Sequence, residues 1–445
     1  MVESKRVPIL MILIDGLADY QIRWAAGQKE LTTLQKAETP VLDALASQDL
    51  YGVHDPVQSG LACGSDTAHM SLFGYNPLKL YQGRGVFEAL GAGQEIKTGD
   101  IAFKSNFAYM NLETRIVERR RVDREFPSWG IPLCQALTGI AIPGFPDHSV
   151  EVMYATEHRC SVKVRGPRLS HKITGNDPLK DERPVVTCEA IDSANSDAVF
   201  TAELINALSV QITQKLLEHP INIERRAQGL PYANFVTLRG AGITIDEPRF
   251  NERHGLKAFM IAPTAIIRGV GITFGMDLLD DVEGMTGYYD SNLEGKMVRA
   301  AREVIENANG YQYGFVHIKA VDDAGHDKNK AIKVSQLEKI DRALQKVVNM
   351  LGEHSLASNG SVDFVLCVTG DHTTPVQYGD HTFEPVPIAI GAVSRLYHDL
   401  KQGAAPTKTF DEIECGKATS ALGRFNGIET IPLLKRFRDS LIAAE

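Results

Sequence analysis

The chain has 445 residues, 43% of them hydrophobic and 23% charged, which is the composition of an ordinary globular protein with ample length for a large core. Its 47 Lys and Arg against 56 Asp and Glu leave a formal charge of −9, a poor basis for general nucleic-acid binding, which needs clustered surplus cation. Six scattered cysteines with no CxxC spacing argue against a disulfide scaffold and fit a reducing compartment.

The first apolar run, Val7–Ile14, follows Lys5 and Arg6. It is too short to cross a bilayer, which takes about 20 residues, and it meets Asp15 and Gly16 where a leader would carry a small-residue cleavage site. It is predicted as a buried strand ending in an acidic turn. The chain is expected to be cytoplasmic, with neither a membrane nor a nucleic-acid partner. Next comes Cys63-Gly64-Ser65-Asp66-Thr67-Ala68-His69. Ser65 is either a helix N-cap or a hydroxyl presented at a helix N-terminus, where phosphate is favoured. From about 96 to 258 the text is broken by Gly, Pro and charge. Short strand-like runs (Cys160–Val164, Val185–Cys188, Phe235–Leu238) surround one long helix at about 196–218. This reads as an α+β domain, 96–258, inserted into a core made of 1–95 plus 259–445. The basic run Arg115–Arg124 alternates with Glu118, Asp123 and Glu125 and reads as a solvated face.

Beyond the insertion, Lys296–Ala308 is predicted helical. Gly314–Ile318 is predicted as a strand running toward Asp322 and Asp323. Lys330–Leu351 carries Val334, Leu337, Ile340, Leu344, Val347 and Leu351 on one helical face. Phe364–Thr369 is a second apolar strand running into Gly370-Asp371-His372, and Val386–Ile390 follows His381. Strands buried on both faces and alternating with helices predict an α/β doubly wound sheet. In such sheets ligands gather at the carboxyl ends of the strands. Asp15, Asp322, His326, Asp371, His372 and His381 all fall near those ends. An Asp and His mixture suits Mn, Zn or Co, with Mg less favoured. With Ser65 there are seven candidate ligands, enough for two ions. Paired divalent cations clamp a displacement at phosphorus, and a coordinated Ser hydroxyl becomes a nucleophile. The residues therefore predict a phosphoserine at Ser65.

The order Asp15, Gly64-Ser65-Asp66-Thr67-Ala68-His69, Asp322-x-x-x-His326, Asp371-His372, His381 resembles the alkaline phosphatase superfamily. Further stretches narrow it. They are Gly74-Tyr75-Asn76-Pro77, Tyr81-Gln82-Gly83-Arg84-Gly85 with Phe87-Glu88-Ala89, Gly99-Asp100-Ile101-Ala102-Phe103, Leu238-Arg239-Gly240-Ala241-Gly242 and Thr286-Gly287-Tyr288-Tyr289-Asp290. With these the chain resembles the archaeal-type cofactor-independent phosphoglycerate mutases over most of its length. The resemblance implies an alkaline-phosphatase-like sheet with an inserted domain. It implies one metal ion on Asp322, His326 and His381, and another on Asp15, Ser65, Asp371 and His372. Ser65 would take a phosphoryl group from one glycerate hydroxyl and return it to the other. That interconverts 2- and 3-phosphoglycerate in glycolysis and gluconeogenesis with no bisphosphoglycerate, and manganese is among the candidate ions. The insertion would close over the substrate and offer Arg84, Asn106, Arg159, Asp177 and Arg239. Fold and metal ligands alone leave open another phosphotransferase, such as a phosphopentomutase or a small-molecule phosphatase. The chain departs from the family pattern at Cys63, where proline is common, and at Lys328, where glycine is common. Its segment Trp24–Thr33 is longer than usual.

Overall fold

The computed structural model describes residues 5–20, 30–48, 50–123 and 126–443. Residues 24–29 of the long Trp24–Thr33 segment and Arg124 of the basic run lie outside the described residues. The chain forms two compact units, 1–81 with 247–445, and 82–246. Both breaks precede the expected ones at 95/96 and 258/259. The reason is local packing. The helix Gly85–Gly91 packs on the strands Ile101–Met110 and Phe235–Gly242 and goes with the second unit. Phe250 packs 5.0 Å from the Tyr313 ring and so ties the helix Phe250–His254 to the first.

The first unit holds an eight-stranded sheet in the order Asp277–Leu278, Ala258–Ile261, Tyr313–Ile318, Ile9–Ile14, Val365–Thr369, Val386–Ala392, Leu50–Asp55, Gly423–Asn426. Ile9–Ile14 pairs in parallel with Tyr313–Ile318 on one side and Val365–Thr369 on the other. All six of its residues are buried, as a central strand covered on both faces requires. The sheet is not wholly parallel, because Val386–Ala392 runs antiparallel to both of its neighbours. Thr369 reaches it through a loop with no crossover helix, so the chain returns in the opposite sense. The loop carrying Asp371, His372 and His381 therefore begins and ends at the carboxyl edge of the parallel strands.

The helices Leu293–Glu306 and Lys330–Ala357 pack on the sheet. Leu337, Ile340, Leu344, Val347 and Leu351 enter the core as the spacing predicts, but Val334 is only half-buried. The buried place in that turn goes to Lys333, whose ammonium finds an internal partner in Asp19 at 3.2 Å. Among the described residues no helix is long and apolar enough to cross a membrane.

The second unit is built on an antiparallel sheet in which Ile101–Met110 lies between Arg159–Arg165 and Phe235–Gly242. Phe103, Phe107, Val162, Val236 and Leu238 face a core closed by the helices Pro127–Leu137 and Ser196–Glu218. The expected strand Val185–Cys188 does not form; a two-residue strand, Arg183–Pro184, lies just before it. Beyond Pro184 the backbone is held by other means, with Cys188 N donating to the Asn206 side chain at 2.9 Å. The motif Gln82-Gly83-Arg84-Gly85 owes both glycines to close approach. A Cβ at Gly83 would stand 2.0 Å from Ala241 O, and one at Gly85 2.0 Å from Ala102 O.

Candidate active site

Three turns at one edge of the first unit's sheet converge. Asp15 ends the strand Ile9–Ile14, and Gly16 follows with φ +64. A side chain at Gly16 would meet Asp322 at 2.7 Å, so the two acidic turns touch only because this residue has none. Asp322 lies in the helix Ala320–His326, where the four-residue spacing puts His326 Nε2 3.3 Å from Asp322 Oδ2. Asp371 and His372 follow Val365–Thr369, and His372 Nε2 lies 3.3 Å from both Asp15 Oδ1 and Asp371 Oδ2. His381 stacks on His372 with centroids 3.6 Å apart, and its Nε2 is 3.6 Å from Asp322 Oδ1.

Ser65 is the first residue of the helix Ser65–Leu72, and the N-cap position belongs to Gly64. The Ser65 hydroxyl is free of capping duty and lies 3.1 Å from His372 Nε2. His69, one turn on, meets the Ser65 carbonyl through Nδ1 at 2.6 Å and ties down the start of the helix.

Ligand-bearing atoms within 4.8 Å of one another fall into three overlapping sets: Asp15, Asp371 and His372; Asp322, His372 and His381; His326, Asp380 and His381. Asp380 was not legible as a member. Six of the seven sequence-predicted ligands thus lie in these sets, with His372 and His381 shared between them, and Ser65 adjoins them through its contact with His372.

The electrostatics are those of crowded buried carboxylates. Burial raises Asp371 well above the usual carboxylate range, and Asp15 and Asp322 push it further. Burial opposes ionisation of Asp15 and Asp322 too, but the Lys319 ammonium together with His317 at Asp15, and with His326, His381 and His372 at Asp322, outweighs it and holds both below their usual range. Lys319 lies 3.4 Å from Asp15 Oδ2, 3.6 Å from Asp323 Oδ1 and in contact with Asp322 Oδ2. His317, inside the strand Tyr313–Ile318, adds a contact to Asp15 Oδ2 at 3.0 Å. Its hydrogen bond to Asp322 raises His326 to about 9 against the opposing effect of burial. Burial lowers His372 to about 3.

The donor set fits divalent cations. Asp15 Oδ1 and Asp371 Oδ2 are buried and have no hydrogen-bond partner among the described residues. His326 Nδ1 faces the Gly379 carbonyl at 3.1 Å and His381 Nδ1 the Cys63 carbonyl at 2.9 Å. Each ring therefore donates from Nδ1 and turns Nε2 toward the carboxylates, where a metal can take the place of the Nε2 proton, the arrangement found behind metal-bound histidines.

In the second unit Arg84, Asn106, Arg159 and Arg239 gather on the sheet face opposite its core; Lys104, paired with Arg239 in register, lies among them. Glu88 accepts from Arg84 Nε and Lys104 Nζ, each at 3.0 Å. Arg159 meets Glu157 at 3.1 Å. Asp177 is buried beneath two guanidiniums, accepting from Arg120 at 2.6 and 2.7 Å with Arg239 Nε at 3.5 Å. Arg120 corrects the reading of Arg115–Arg124 as a solvated face, since this one member turns inward to a buried carboxylate. Lys104 and Arg120 carried no sequence signal beyond charge in a strand-like or basic run.

A family model for 2,3-bisphosphoglycerate-independent phosphoglycerate mutase matches residues 46–222. Proteins of that name from Methanopyrus kandleri and Methanocaldococcus jannaschii are each 36% identical, over 97% and 93% of both chains respectively. Among solved structures, a Pyrococcus horikoshii protein superposes with a TM-score of 0.75 at 29% identity, covering 98% of both chains. A cofactor-independent phosphoglycerate mutase from Thermoplasma acidophilum gives 0.64 at 29% identity, over 97% of this chain and 100% of that one. With identity at this level running nearly end to end, the chain belongs to the 2,3-bisphosphoglycerate-independent phosphoglycerate mutase family.

Proposed function

We propose that the chain interconverts 2-phosphoglycerate and 3-phosphoglycerate through a phosphoserine at Ser65, with no bisphosphoglycerate, serving glycolysis and gluconeogenesis. The observation that carries this reading is the Ser65 hydroxyl, 3.1 Å from His372 Nε2, beside buried aspartates with unpartnered oxygens. Asp322, His326 and His381 are proposed to hold one divalent ion, and Asp15, Ser65, Asp371 and His372 another, from among Mn, Co, Zn and Mg. When bound, such ions acidify the Ser65 hydroxyl and neutralise charge on the transferring group.

Ser65 Oγ forms a bond to phosphorus as the bond from phosphorus to one glycerate hydroxyl oxygen breaks. The freed oxygen takes up a proton for the one that Ser65 loses in forming the bond, and in the return step Ser65 recovers the proton that the second hydroxyl gives up. The second hydroxyl then gives up its proton and attacks the same phosphorus, releasing Ser65. The glycerate must stay bound between the two steps. Arg84, Arg159 and Arg239, with Asn106, are proposed to bind its carboxylate and phosphate, a bidentate task suited to guanidinium. Asp177 contributes by aligning Arg239 and Arg120, and Lys104 adds a fourth cation.

The test is turnover coupled to enolase with Mn²⁺ and without bisphosphoglycerate. Ser65→Ala is expected to reduce it to background, and retained turnover sinks the phosphoserine route. Arg239→Lys is expected to raise KM for phosphoglycerate about 10-fold or more through loss of a bidentate contact, read from the same assay.

A further inference from the structure

We propose that Thr374 is a positioning residue of the Ser65 site: its hydroxyl fixes the tautomer of His372 and couples that ring to Asp322. The inference rests on the metal reading above. Thr374 is fully buried in the loop that follows Val365–Thr369. Its Oγ1 lies 2.6 Å from Asp322 Oδ1 and 3.1 Å from His372 Nδ1. A hydroxyl has one proton, and an ionised carboxylate can only accept. Thr374 therefore donates to Asp322 and accepts from His372. The His372 proton then resides on Nδ1, and the lone pair of Nε2 points at Ser65, Asp15 and Asp371.

His326 and His381 fix Nδ1 as a donor through backbone carbonyls, which no substitution removes, so a metal at Nε2 would find both in the same tautomer. His372 depends on a side chain instead. That side chain also touches Asp322, which is assigned to the other ion, so one hydroxyl orients a ligand of each. The Thr374 backbone is fixed as well: its N donates to Ala18 O at 3.2 Å, and its carbonyl accepts from the buried Lys333 Nζ at 2.9 Å. The hydroxyl is thus held by the same loops it serves.

The test is calorimetric titration of the parent, Thr374→Ser and Thr374→Val with Mn²⁺, alongside melting of the metal-free proteins. Val keeps the shape and deletes the hydroxyl. It is expected to weaken Mn²⁺ binding about 10–100-fold, while Ser restores affinity close to that of the parent. A Val variant that binds Mn²⁺ as tightly as the parent, or a Ser variant as defective as Val, overturns the proposal. If Val does not fold, long-range ¹H–¹⁵N spectra of the metal-free parent decide. A proton on His372 Nδ1 and a bare Nε2 are expected, and the reverse tautomer overturns the inference. A parent that takes up no Mn²⁺ at all overturns the metal reading, and this inference with it.

Discussion

At the scale of single residues, the cluster stores charge that only cations balance, and pH reads it out. His326 titrates near 9 instead of its ordinary 6.5, chiefly through its hydrogen bond to Asp322. A raised imidazole stabilises the metal-free fold below 6.5, and that contribution is lost as pH climbs through 9. Metal at Nε2 must displace the same proton. Affinity for Mn²⁺ is therefore expected to rise from pH 6.5 to 9 with protons released on binding, a release visible as a buffer-dependent calorimetric enthalpy; a flat profile contradicts His326 as a ligand. Lys333 is a second case. Its ammonium is fully buried and meets Asp19, Ala18 O and Thr374 O. Lys333→Met leaves Asp19 charged and uncompensated, at an expected cost of about 3–5 kcal/mol by denaturant unfolding. Lys328 adopts φ +54, in the left-handed region that favours glycine. Lys328→Gly is expected to gain about 0.5–1 kcal/mol in the same measurement, since relief of left-handed strain exceeds glycine's entropic cost. The seven candidate ligands were picked out because Asp, Ser and His at strand ends are conspicuous, and the structure brings them to one edge of the sheet. His317 and Lys333 were not, since a lone polar residue inside a strand or on an apolar helix face gives the pattern no sign of its internal partner.

At the scale of elements, apolar periodicity located Ile9–Ile14, Tyr313–Ile318, Val365–Thr369 and Lys330–Ala357 well. Burial on both faces leaves the same text whichever way a strand runs, so the reversal of Val386–Ala392 had no signature in its own residues. Its cause is the connection, which lacks a helix. Val185–Cys188 was misread for a related reason: apolar content was present, but the Cys188 amide and carbonyl are both taken by the Asn206 side chain of a helix instead of by a neighbouring strand. The helix Lys330–Ala357 carries much of the first unit's core through Leu337, Ile340 and Leu344. Leu344→Ala is expected to cost about 2–5 kcal/mol, measured by denaturant unfolding, with no change in Mn²⁺ affinity, since Leu344 belongs to the apolar core and is none of the candidate ligands.

At the scale of the molecule, the discontinuous core was legible and its seams were not, because a boundary depends on which unit a short helix packs against. Two units with separate cores are expected to unfold in two transitions. If the proposed sites bind, Mn²⁺ at about 1,000 times its dissociation constant is expected to add about 4 kcal/mol per ion to the transition of the unit carrying the candidate ligands and to leave the other in place, as read by scanning calorimetry with and without chelator. The central strand has a further consequence, for synthesis. Ile9–Ile14 is made first, yet its two neighbours are Tyr313–Ile318 and Val365–Thr369. At about 5–20 residues per second the ribosome takes on the order of 15–60 seconds to supply the first of them. Through that interval a six-residue stretch of Ile, Leu and Met waits outside the exit tunnel with its hydrogen-bonding edges open. Nascent chains are thus exposed to aggregation until Tyr313–Ile318 emerges, and a holdase that shelters Ile9–Ile14 is what this order of segments demands.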